Sequence, residues 1–306
     1  MPSVRQGSIH LFRFSGIDVF LHWSWFLLAL YAIQDRAHSY SAITWNIVEL
    51  LALFLIVTFH EFGHSLACRQ VGGRADRIVL WPLGGVAYVD PPPRPGATLW
   101  SIAAGPLVNV ALLPILGCLV IIGHYRFWTE SGFNTQQFLP SVFWINAVLL
   151  AFNILPIYPL DGGQILRSLL WFPLGRARSL QIATILGFIG IAGFIGLALW
   201  MRSIWYGALA AFMLLNCWGG LKHAQELLRI AKLPRRQEFA CPSCKMSPPA
   251  GALWRCGNCG QPFDTFATGA VCPWCSSRFA KTRCLDCGEQ HAINEWVAPA
   301  LTAPSA

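Results

Sequence analysis

The sequence predicts an all-α polytopic membrane protein: six transmembrane helices with a small β element at the membrane face, followed by a small cysteine-rich β domain. Three observations carry this. Of the 306 residues, 55% are hydrophobic and only 12% charged, against about 25% charged in ordinary soluble domains. Six segments approach the ~20 apolar residues that a spanning helix needs. Most of the eleven cysteines fall into Cys-x-x-Cys pairs after residue 240.

The spans are expected at roughly 19–34, 46–68, 98–123, 139–160, 180–200 and 204–221. The last two form a tight hairpin around Met201-Arg202-Ser203. The stretch before residue 19 is mildly basic, and the apolar run after it has no small-residue cleavage site, so the first span is expected to stay in the mature chain. Between the second and third spans, Arg77 to Asp90 is β-rich and interrupted by Gly84-Gly85. It reads as a short hairpin at the membrane face, ended by Pro91-Pro92-Pro93. Residues 222–239 read as a basic, partly amphipathic linker along or away from the membrane surface.

A net charge of +8 would suit a nucleic-acid binder, but the distribution of the basic residues argues for membrane topology instead. One side of the six-span arrangement holds Arg5, Arg13, Arg69, Arg74, Arg77, Arg94, Arg167, Arg176, Arg178 and the bases from Lys222 to Arg236; the other holds only Arg36, Arg126 and Arg202. Cytoplasmic loops carry the Lys/Arg excess, so both termini are expected in the cytoplasm and the spans in the plasma membrane. The cysteine-rich end then lies in a reducing compartment, where thiolates bind metal rather than pair. Cys68, Cys118 and Cys217 stand alone in apolar surroundings and read as small hydrophobes.

The second span ends in His60-Glu61-Phe62-Gly63-His64. Histidines four apart lie one above the other on a helix face. Both imidazoles can therefore reach one Zn²⁺, with Glu61 as general base to its water. Helix-packing histidines are the bland alternative, but ionisable groups inside a membrane helix are costly and usually functional. A catalytic zinc needs a third protein ligand and an open position. Asp161, in Asn153-Ile-Leu-Pro-Ile-Tyr-Pro-Leu-Asp-Gly-Gly163 at the end of the fourth span, supplies a suitable oxygen. Its alternative is a helix cap. Pro156 and Pro159 break the helix, while Gly162 and Gly163 allow close backbone approach. The second and fourth spans both run toward the cytoplasm, so the three ligands are expected at one membrane face. His22, in Leu21-His22-Trp23, reads as interfacial.

These motifs resemble the site-2 protease family of intramembrane zinc metalloproteases, as does Gly105-Pro106-Leu-Val-Asn109 in the third span. The resemblance covers about residues 10–220 and implies a three-span catalytic core, about 46–163, within a protease domain at 1–221. It implies His60, His64 and Asp161 as zinc ligands, Glu61 as the base and Asn153 as a substrate-holding residue. The substrate would be a membrane-spanning protein, cut in or near its transmembrane segment in regulated intramembrane proteolysis. Six spans and a short loop before the third resemble the compact branch of the family. No segment is long enough for an extracytoplasmic PDZ domain, and nothing resembles a CBS module.

In the C-terminal region the pairs are Cys241/Cys244, Cys256/Cys259, Cys272/Cys275 and Cys284/Cys287. Two pairs close one tetrahedral Zn²⁺, so 240–290 reads as a double zinc ribbon holding two structural zincs, and 291–306 as a disordered tail. Consecutive pairing is expected, with cross-bracing the alternative. The module is too small to fold well without metal. Arg255, Arg278, Lys281 and Arg283 make a modest basic set, so a protein partner is favoured over nucleic acid. Two other functions compete with the protease. One is a catalytically idle scaffold that recruits a cytosolic partner through the ribbons, disfavoured because Glu61 would serve nothing in it. The other is a membrane-embedded protease open to cytosolic proteins, disfavoured by the context of Asp161.

Overall fold

The computed structural model describes residues 7–35, 40–81, 84–126, 133–202 and 204–296. They fall into two compact units, 1–222 and 223–306.

The first unit opens with two strands where a span was expected. β1 (Ser8–Phe14) and β2 (Ile17–His22) form an antiparallel hairpin through Ser15 and Gly16, both with positive φ. β2 then pairs parallel to β3 (Arg74–Trp81), which pairs antiparallel to β4 (Gly84–Asp90). The sheet order is β1-β2-β3-β4. The sequence of β2 explains the correction: Ile17 and Val19 are fully buried while Asp18 between them faces Arg13 and His10. That period-2 pattern is a half-buried strand. The remaining helix, α1 (Trp25–Asp35), has 11 residues, about 16 Å of rise, short of the ~30 Å hydrocarbon core. The segment expected as a span at 19–34 therefore begins in β2 and continues as this short helix, with 36–39 outside the described residues. Of the expected hairpin, Pro82 and Leu83 lie outside the described residues, but strands on both sides of them are present.

Four helices among the described residues are long and apolar enough to cross a membrane: α2 (Ile43–Gln70), α3 (Pro95–Arg126), α4 (Phe133–Ile154) and α5 (Asp161–Met201). The expected spans at 46–68, 98–123, 139–160 and 180–200 fall on them. α5 is two helices joined at Gly175, whose φ of 77° breaks the helix after Pro173. The sixth expected segment lies in α6 (Ile204–Ala231); Ser203, in the hairpin before it, lies outside the described residues.

α2 is the hub of this unit, packed by α3, α4 and the sheet. Its core with the sheet is Ile17, Val19, Trp25, Val57, Phe62, Ile78 and Leu80. The approach of α3 depends on a small residue. A Cβ on Gly63 would stand 2.7 Å from the Ala104 carbonyl oxygen. With little hydrophobic drive between helices in lipid, such close backbone contact holds the pair together.

In the second unit each Cys-x-x-Cys pair forms the same loop. The first cysteine's N–H donates to the carbonyl five residues on, and its carbonyl accepts from the N–H four residues on; this recurs from Cys241, Cys256, Cys272 and Cys284. The residue just after the second cysteine has positive φ in every loop: Lys245, Gly260, Ser276 and Gly288. The hairpins β5–β6 (Trp254–Arg255, Pro262–Phe263) and β7–β8 (Thr282–Arg283, Gln290–His291) flank the second and fourth loops.

The domain limits differ from the expectation at both ends. Residues expected in the linker belong to this unit: Arg235 pairs with Asp286 at 2.6 Å and Arg236 with Asp264 at 2.8 Å. At the other end, Trp296 is fully buried against Phe266, so the chain through 296 belongs to the folded unit rather than to a tail; 297–306 lie outside the described residues. The aromatic core of this unit is Trp254, Phe263, Phe266 and Trp296, while Trp274 is exposed.

Candidate active site and metal clusters

α2 carries His60 and His64 one turn apart on its buried flank, facing α3 and the start of α5. α4 ends at Ile154, the chain turns through 155–160 with a cis Tyr158–Pro159 bond, and α5 starts at Asp161. The turn is tight because Gly162 and Gly163 sit on its backbone: a Cβ on either would overlap main-chain atoms of 154–158. Asp161 is thereby placed against the histidines. His60 Nε2 lies 2.9 Å and His64 Nε2 3.4 Å from Asp161 Oδ2, and the two imidazole nitrogens are 3.1 Å apart.

These distances fit one metal ion. Nitrogen and oxygen ligands at about 2.0–2.1 Å from zinc have tetrahedral edges of roughly 3.3 Å, close to all three separations. Two imidazoles and a carboxylate are a donor set that zinc accepts. Gly105 of α3 completes the cradle, because a Cβ there would fall on both Nε2 atoms. Each histidine is also held from behind, as ligating histidines usually are. His64 Nδ1 lies 2.9 Å from the Ser101 carbonyl and His60 Nδ1 2.6 Å from Asn109 Oδ1.

Glu61 projects from α2 toward the sheet. Its Oε2 accepts a 2.8 Å hydrogen bond from the Ala87 N–H of β4, and a Cβ on Gly85 would overlap its carboxyl group. That contact accounts for Gly85, while Gly84 has a φ of 136° that favours glycine. A cavity of about 710 Å³ opens at this point, and His60, Glu61, Asp161, Asn153 and residues of β4 and α6 line it. All five residues expected from the membrane part therefore meet at one place. His22 stands just behind the cavity wall, stacked on Trp81 and hydrogen-bonded to Ser24, both of which line it.

Asn146 was not singled out from the sequence. It is fully buried and joined to Asn109 by two hydrogen bonds. An uncharged polar side chain inside the apolar run Val-Phe-Trp-Ile-Asn-Ala-Val-Leu-Leu was the available signal.

The eight tail cysteines form two clusters of four, but not by consecutive pairing. Cys241/Cys244 meet Cys284/Cys287, and Cys256/Cys259 meet Cys272/Cys275. The arrangement is nested, neither consecutive nor cross-braced. Sulfur–sulfur distances of 3.7 Å (Cys241–Cys287), 3.8 Å (Cys244–Cys284), 3.5 Å (Cys256–Cys275) and 3.7 Å (Cys259–Cys272) match the edge of about 3.8 Å that four Zn–S bonds of ~2.3 Å impose. Packing causes the nesting. The Arg235–Asp286 ion pair draws the fourth loop back toward the start of the unit, leaving the second and third loops to each other.

Residues 48–127 and 116–197 match the model of peptidase family M50. A zinc metalloprotease of Methanocaldococcus jannaschii is 36% identical over 180 residues, 59% of this chain and 50% of that protein. Stage IV sporulation protein FB of Bacillus subtilis is 31% identical over 157 residues, 49% of this chain and 51% of that protein. The chain thus spans about half the length of these curated relatives. Among solved structures, the site-2 protease from Methanocaldococcus jannaschii superposes with a TM-score of 0.51 at 29% identity, over 70% of this chain and 95% of that one.

Proposed function

The chain belongs to peptidase family M50, and from this premise we propose that it is an intramembrane zinc metalloprotease. It hydrolyses a peptide bond in or near a transmembrane segment of a membrane-tethered protein, as a step of regulated intramembrane proteolysis. The observation that carries this reading is the meeting of a three-ligand metal set and a glutamate in one cavity among helices long enough to span a bilayer.

In this reading His60, His64 and Asp161 hold one catalytic zinc. When bound, the ion supplies Lewis-acid polarisation of the scissile carbonyl and of the attacking water. Glu61 takes the proton from that water and returns it to the departing nitrogen. The Ala87 N–H fixes one oxygen of Glu61, leaving the other to move the proton. Asn153, on the cavity wall, holds the unwound substrate backbone. Two further zincs, one per cysteine cluster, are structural, and the tail docks a protein partner. We further infer six spans with both termini in the cytoplasm of a plasma-membrane protein, from the apolar segments and the Lys/Arg distribution.

The test is quantitative comparison of membrane proteomes from cells expressing wild type or Glu61→Gln at equal levels. The substrate accumulates intact with Glu61→Gln and co-purifies with it. Indistinguishable proteomes would remove the protease reading.

A further inference from the structure

The expected ligand atoms are the Nε2 nitrogens, so each histidine must keep its proton on Nδ1. For His64 the partner of Nδ1 is the Ser101 main-chain carbonyl, which can only accept. For His60 it is a side-chain amide, which has two ends. Presented by Oδ1, Asn109 accepts the Nδ1 proton and leaves the Nε2 lone pair free. Presented by Nδ2, it would donate to Nδ1 and drive the proton onto Nε2, where it blocks ligation.

Asn146 decides between the two. Its Nδ2 donates to the Asn109 main-chain carbonyl at 3.0 Å, an acceptor that cannot be reversed. Its Oδ1 must then face the Asn109 side chain, where it accepts from Nδ2 at 2.8 Å. A reversed Asn109 would set oxygen against oxygen. Both asparagines are 0% exposed, so water cannot repair the mismatch, and in a low-dielectric interior it is especially costly.

We propose that Asn146 is a positioning residue for the metal site: acting through Asn109, it holds His60 in the Nδ1-protonated tautomer whose Nε2 ligates. The chain of hydrogen bonds runs from α4 through α3 to α2, starting outside the residues 153–163 that carry Asp161. It rests on the zinc reading of His60, His64 and Asp161.

The test measures zinc retained per full-length chain in lipid nanodiscs against a graded chelator, with the two tail equivalents as internal reference. Wild type should hold a third equivalent that Asp161→Asn lacks; if it does not, the zinc reading itself falls. Asn146→Ala should weaken that third site by about ten- to hundredfold, the usual cost of losing a partner behind a ligand, while the tail zincs are unchanged. The discriminating background is Asn109→Asp. A carboxylate accepts from Nδ1 with either oxygen, so it needs no orienting partner, and its second oxygen faces the Asn146 Oδ1; adding Asn146→Ala there should therefore leave the affinity unchanged or raise it, not lower it. Equal losses in both backgrounds would mean that Asn146 only packs α3 against α4, and wild-type affinity in Asn146→Ala would overturn the proposal outright. Should Asn146→Ala not fold, Asn146→Leu removes the same hydrogen bonds while filling the space, with the same outcomes expected.

Discussion

A methyl group at Gly105 would stand 2.9 Å from His60 Nε2 and closer still to His64. Gly105→Ala should therefore displace the ligands and lose the third zinc equivalent, with activity falling at least about tenfold while the tail keeps its metal; elemental analysis of the purified chain reads this. A second residue prediction concerns Asp264. Burial opposes its ionisation, but the Arg236 guanidinium and the N–H groups of Gly251 and Ala267 outweigh burial and hold the carboxyl below its usual range. A depressed folded pKa gives stability that is complete above the unfolded value of about 3.9 and lost as pH falls through the folded one. Asp264→Asn should thus destabilise the tail by about 1–3 kcal/mol by an equal amount at pH 7 and pH 5, read by amide hydrogen exchange over 250–268. At this scale much was legible. The spacing of His60 and His64 and the placement of Asp161 needed only helix geometry and topology. Asn146 was not legible, because its role depends on which carbonyl of another helix it meets.

β4 shows the same division at the scale of elements. The β-rich, glycine-interrupted pattern indicated a hairpin, but not that its backbone touches the base. The Ala87 N–H serves Glu61 rather than the ladder to β3, so Ala87→Pro should leave the sheet paired and lower kcat by roughly tenfold or more with little change in KM, measured on the substrate that Glu61→Gln captures. The tail loops supply a converse case. Lys245 and Ser276 occupy the left-handed position that glycine holds in the other two loops, and both are exposed. Lys245→Gly and Ser276→Gly should each stabilise the tail by about 0.5–1 kcal/mol, seen as slower zinc loss to chelator. The N-terminal strands escaped notice because β2 and α1 together make one apolar run. A hydropathy window does not separate the alternation of Ile17-Asp-Val-Phe-Leu-His22 from the helix after it.

For the whole molecule, the division into a long apolar part and a cysteine-rich tail was legible, because composition changes sharply between them. The nested cysteine pairing was hidden, since four identical loops can close two tetrahedra in several ways and only tertiary contacts such as Arg235–Asp286 choose among them. In the proposed function the division of labour is one zinc site with an open position in the membrane part and two closed sites in the tail. Mapping the new termini of proteins cleaved in wild-type but not Glu61→Gln membranes tests the intramembrane assignment most directly. The new C-termini should fall within or beside apolar segments of about 20 residues, near their cytoplasmic ends. Termini confined to soluble loops, or equally abundant in both membranes, would contradict it.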